Sequence, residues 1–93
     1  MIRREIQMMC ETGLHARPAS QLSSLASRFS CDTWMRVRQK QVNLKSVLDV
    51  MACGAKKGIT VEIICSGPDE QLAITEIISF FKRLNNPKKS INS

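Results

Sequence analysis

The chain contains a single histidine, His15, set in the stretch GLHARPAS at residues 13–20, with Arg17 two residues on and Pro18 three on. These residue types suit phosphoryl chemistry. A neutral imidazole is a nucleophile in the physiological pH range. A guanidinium presents a planar fork of donors to phosphate oxygens. Pro18 fits the first turn of a helix, where its missing N–H has no intrahelical partner to lose. Residue 15 or 16 is then the N-cap, and the first free amides of the helix point outward beside the imidazole. A helix N-terminus attracts anions through those amides and through its dipole. Together these residues describe an exposed imidazole that accepts a phosphoryl group, which the amides and Arg17 would hold. Such a step needs an exposed nucleophile, local positive charge and an in-line donor. The plainer alternative is a histidine that caps a helix or sits on the surface.

Other chemistries find less support. With one histidine and no CxxC pair among Cys10, Cys31, Cys53 and Cys65, a metal site lacks a usual ligand set, and none is expected. The segment MIRREIQMM has no apolar core of a signal peptide, and no window approaches a membrane span. The four cysteines are therefore read as reduced, mostly buried small hydrophobes of a cytoplasmic protein. The net charge is +6, from 14 Lys+Arg against 8 Asp+Glu, which favours acidic partners. It also raises a nucleic-acid-binding reading. However, Trp34 and the three phenylalanines form no visible stacking platform, and no nucleic-acid-binding motif is present.

Seven elements can position the histidine. Residues 4–10 read as a half-buried strand with Ile6, Met8 and Cys10 on one side. Ala19, Leu22, Leu25, Ala26 and Phe29 follow at helical spacing, for about three turns. TWMRVR at 33–38 alternates again, a turn at Gln39-Lys40 follows, and a weaker strand covers Gln41–Asn43. Ser46 is a good N-cap for a short helix, VLDVMA, with Val50 facing the core. ITVEIIC at 59–65 alternates strictly and should be the central strand. GPDE at 67–70 leads into a last helix marked by Ile74, Ile77, Ile78, Phe81 and Leu84. The order βαββαβα, with one apolar face per strand, gives an α+β fold of two layers: a four-stranded antiparallel sheet covered on one face by three helices. Residues 1–86 make one domain, and 87–93 are a polar basic tail.

GLHARPAS resembles the phosphohistidine motif of HPr, the histidine-containing phosphocarrier family of the bacterial sugar phosphotransferase system. QVNLKSVLDVMACGAKKG, residues 41–58, resembles the segment around that family's regulatory serine, and SGPDE resembles the start of its last helix. The resemblance spans about residues 2–85. It implies an HPr-like open-faced sandwich and a phosphocarrier, not an enzyme with turnover of its own, and no cofactor. By the resemblance, His15 receives a phosphoryl group on its ring Nδ1 from enzyme I and passes it to sugar-specific enzyme IIA proteins. The amides of Ala16 and Arg17 contact the phosphate, and the Arg17 side chain stabilises it. Ser46 matches the site of an ATP-dependent HPr kinase. Val47, Leu48 and Met51 match an apolar docking patch, and a monomer is expected. A mainly regulatory HPr-like protein is the alternative within the family.

Some positions depart from the family pattern. Asp49 puts a carboxylate on the docking helix, and Ser24 and Ser27 stand where relatives often carry lysine or arginine. Arg28 and Lys45 are candidates to compensate. The Gln39-Lys40 turn lacks the usual glycine, and Cys53 has no assigned role. A phosphate on Ser46 would sit at a helix N-cap, where the dipole favours it, and would add negative charge to the docking face.

Overall fold

The strictly alternating run near residue 60 forms strand β4, Thr60–Ser66, and it is central. It pairs antiparallel with β1, Ile2–Gln7, on one side and with β2, Asp32–Val37, on the other. Strand β3, Lys40–Asn43, closes the order β1-β4-β2-β3. Three helices complete the chain: α1, Ala16–Ala26; α2, Val47–Met51; and α3, Glu70–Asn85. This is a computed structural model that describes residues 1–86. The polar tail expected at 87–93 lies outside the described residues.

The order is βαββαβα. Val61, Ile63 and Cys65 face the helices and are buried, together with Met35 and Val37 from β2. From the helices come Leu22, Val50, Ile74, Ile77 and Phe81. Phe80, which the helical spacing did not single out, is also buried and meets Phe81 edge-to-face at 5.8 Å. On the open face Ile64 is only 4% exposed, because Trp34 and Arg3 are its direct partners on the flanking strands.

Several boundaries differ from the sequence reading, each for a local reason. Strand β1 spans 2–7, not 4–10. The alternation of Ile6 and Met8 runs past the last paired residue, while Arg4 hides the pattern upstream. Arg4 pairs with Ile63 and so lies on the helix side, yet stays exposed at the sheet edge. An inward charge of this kind discourages further strands from adding to the edge. Cys10 lies beyond the strand and is half-buried. The β2–β3 turn consists of Arg38 and Gln39, since Lys40 already pairs with Val37. Arg38 takes a φ of 59°, a conformation glycine adopts most readily. Helix α1 ends at Ala26, and Phe29 enters the core from a tighter turn in which its N–H bonds the Ala26 carbonyl. Helix α2 ends at Met51, and Ala52 is its C-cap.

One tie was not visible in the sequence. Asp69 occupies the N-cap position of α3, but its carboxylate does not cap that helix. It accepts from the backbone N–H of Ser30 at 2.8 Å and of Cys31 at 2.9 Å, fastening the α1–β2 loop to the start of α3. The Ser30 N–H, assisted by that of Cys31, holds the Asp69 carboxyl below the usual carboxylate range, against the opposing effect of burial. The tie therefore stabilises fully above the ordinary carboxylate range and is lost as pH falls through the lowered folded value. Thermal unfolding between pH 2 and 7 should show Asp69→Asn melting lower at neutral pH and losing less than wild type in acid. Parallel acid limbs would contradict this assignment.

Candidate functional site

His15 is the N-cap of α1, with extended backbone angles of −81° and −170° and no side-chain bond to its own helix. The Ala19 N–H reaches the His15 carbonyl at 2.9 Å, which closes the first helical bond. The amides of Ala16 and Arg17 are thus left without intrahelical acceptors. Ala16, Arg17 and the imidazole are exposed, while Pro18 and Ala19 are buried and anchor the turn. No acidic side chain occupies the first turn to neutralise it. The first turn of α1 thus carries an exposed imidazole at its N-cap, two open amides and, two residues on, an exposed arginine.

The loop before His15 is fixed from behind. Gly13 has a φ of 65°, and a Cβ there would collide with the Ala55 carbonyl oxygen. The Leu14 N–H bonds that same carbonyl at 3.4 Å, with the Leu14 side chain buried. Lys57 Nζ reaches Glu11 Oε1 at 2.6 Å, tying the same two loops. This ion pair holds the Glu11 carboxyl below its ordinary range. Apart from the flanking Gly13, Gly54 and Gly58, all at positive φ, nothing in the sequence pattern ties residues 54–58 to the loop before His15.

Ser46 is the N-cap of α2, and its Oγ accepts from the Asp49 N–H at 3.3 Å. It does not lie beside His15. Lys45 Nζ bonds the Phe29 carbonyl, just past the end of α1, whereas Ala55, after α2, meets the loop at the start of α1. Helix α2 therefore runs back along α1, and Ser46 stands toward the end of α1 opposite His15. Between the two sites the side chains of α2 divide as expected. Val50 is fully buried, while Val47, Leu48 and Met51 are 36%, 77% and 46% exposed. Asp49, Ser24, Ser27 and Arg28 are exposed too. Lys45, considered as a compensating charge, has its ammonium engaged at Phe29.

Cys31, Cys53 and Cys65 are buried and Cys10 is half-buried, all as free thiols. Burial pushes the Cys65 thiol up to about 12, which removes it from nucleophilic chemistry near neutral pH. Among the described residues, no group of three His, Cys, Asp or Glu could hold a metal ion. No described helix is long and apolar enough to cross a membrane.

The fold defines a two-layer open-faced sandwich with an exposed histidine at the start of its first helix. The family model "PTS HPr component phosphorylation site" matches residues 2–83, and the chain belongs to that family. HPr-like protein Crh of Halalkalibacterium halodurans is 32% identical over 83 residues, covering 89% of this chain and 99% of that protein. Among solved structures, HPr-C-His of Thermoanaerobacter tengcongensis superposes with a TM-score of 0.86 at 34% identity, covering 91% of this chain and 96% of that one. Crh of Bacillus subtilis, described as a catabolite repression protein and a domain-swapped dimer, gives a TM-score of 0.72 at 31% identity, covering 90% and 97%. The family places the chain among HPr-like phosphocarrier and regulatory proteins. Dimers occur among its solved relatives, so the expected single-copy state is not a family rule.

Proposed function

We propose that the chain is a phosphocarrier that takes a phosphoryl group on His15 from enzyme I and yields it to enzyme IIA proteins. The observation that carries this reading is the exposed His15 imidazole at a helix N-terminus, beside the open amides of Ala16 and Arg17 and the Arg17 guanidinium. The ring attacks phosphorus as its enzyme I donor departs, and the amides and guanidinium receive the developing charge. The phosphohistidine then faces solvent, accessible to the next acceptor. Val47, Leu48 and Met51 form the apolar contact for each partner in turn.

A second reading, control of partner binding through Ser46, is favoured by the exposed Asp49 and by the similarity to Crh. With Ser46 far along α1 from His15, a phosphate there would act on docking through charge and not by touching the imidazole. One experiment weighs both readings. Phosphoenolpyruvate with enzyme I should give an acid-labile label that His15→Ala abolishes. ATP with HPr kinase should give an acid-stable label that Ser46→Ala abolishes. No label from a matched enzyme I refutes the carrier reading, and acid-stable label alone leaves the regulatory one.

A further inference from the structure

We infer that Lys56 is a second cation of the phosphohistidine site, additional to Arg17 and setting the lifetime of the phosphoryl group. This inference rests on His15 being the phosphoryl acceptor. The sequence gives no hint of it, because Lys56 is 41 positions away in a run, KKG, that reads as a plain turn. The fold brings that turn against the His15 loop. A side chain at Gly13 would collide with the Ala55 carbonyl and come within 3.4 Å of the Lys56 Cα, so the two backbones are in direct contact. The bond from the Leu14 N–H to Ala55 fixes their separation.

The two lysines of the turn differ in what they meet. Lys57 is neutralised by Glu11. Lys56 is exposed and makes no ion pair among the described residues. Its Cα lies against Gly13, two residues before His15, whereas Arg17 follows His15 by two residues in the first turn of α1. A phosphoryl group on the ring therefore has two cations for neighbours rather than one. Positive charge favours the dianionic phosphoryl group and opposes the protonation that precedes N–P cleavage. Lys56 thus slows loss of the group to water. In that loss the N–P bond breaks and water supplies the new P–O bond. The proton returns to the ring, and inorganic phosphate leaves.

The test uses a donor that bypasses any protein partner. Phosphoramidate transfers its phosphoryl group to the His15 ring as its own P–N bond breaks, and the displaced ammonia takes up the ring proton. The full chain is labelled this way, freed of donor, and followed at pH 7 by 31P NMR. Lys56→Gln should lose phosphate about two- to threefold faster than wild type and Lys56→Glu faster still, while Lys56→Arg should match wild type. The 31P titration midpoint of the phosphoryl group should rise in the Gln and Glu variants, which a purely structural role for Lys56 would not produce. The differences should shrink at 1 M salt. Wild-type lifetime and midpoint in both Lys56→Gln and Lys56→Glu overturn the inference alone. Failure of wild type to take label, with His15→Ala as control, overturns the His15 site and the inference together. Failure of the enzyme I relay, with the lifetimes ordered as above, counts only against the relay.

Discussion

Gly13→Ala is expected to destabilise the domain by about 3 kcal/mol and to slow phosphorylation of His15 at least about tenfold. Two costs add at this position. A side chain at a φ of 65° costs about 1 kcal/mol relative to glycine. In addition, the new Cβ overlaps the Ala55 carbonyl oxygen, which is backbone and cannot swing aside. Relief requires the 54–58 loop to move away, and this breaks the bond from Leu14 to Ala55 and exposes Leu14; overpacking of this kind costs about 2 kcal/mol. For a domain of this size the sum lowers Tm by roughly 15 °C.

Gly54→Ala separates the two terms. Gly54 also has a positive φ, of 78°, but nothing lies within 4 Å of its Cβ position. That variant should lose only the conformational part, about 1 kcal/mol or roughly 5 °C. Thermal unfolding of the pair measures the clash by difference. Equal losses would mean that the two loops do not touch as the structure places them. Labelling by phosphoramidate reports whether the His15 loop has shifted, independently of any docking defect.

The element order and the helix start at His15 were legible because their signals are local. Pro18, Arg17 and the apolar spacing from Ala19 fixed a helix start, and His15 is its N-cap. The alternation of Val61, Ile63 and Cys65 marked the central strand, and the structure pairs it on both sides. What escaped depends on contacts between distant parts of the chain. Asp69 stands in the GPDE stretch that leads into α3, yet its carboxylate binds the backbone of Ser30 and Cys31. Side-chain-to-backbone bonds of that kind leave no periodic trace. The packing of Ala55 on Gly13 is likewise a backbone contact, and it is invisible to any hydrophobic pattern. Strand boundaries slipped where the sheet edge relaxes the alternation rule. Arg4 points to the helix side at an edge strand, where solvent still reaches it. The separation of Ser46 from His15 follows from the course of α2 back along α1, which motif spacing does not encode.

Leu48→Asp is expected to lower kcat/KM for labelling by enzyme I about 30- to 150-fold while leaving the fold and the phosphoramidate reaction intact. Leu48 is 77% exposed, so the native domain gives up little on losing it. With Val47 and Met51 on either side it is the most prominent apolar group of α2. A leucine buried at the centre of a docked interface contributes about 2–3 kcal/mol, and that range converts to the fold-change above. The substituted carboxylate must also be desolvated beside Asp49, whose charge is already on the same short helix. Asp49→Asn should act in the opposite direction, raising kcat/KM severalfold at low salt and by less at high salt, as expected for a charge that opposes encounter with an acidic partner. Ser46→Ala calibrates the structural component. It removes the acceptor for the Asp49 N–H and costs about 1 kcal/mol of stability without touching the apolar patch. If Leu48→Asp is labelled within threefold of wild type, enzyme I does not dock on this helix. The exposed patch then requires another partner, and the regulatory reading gains at the expense of the carrier.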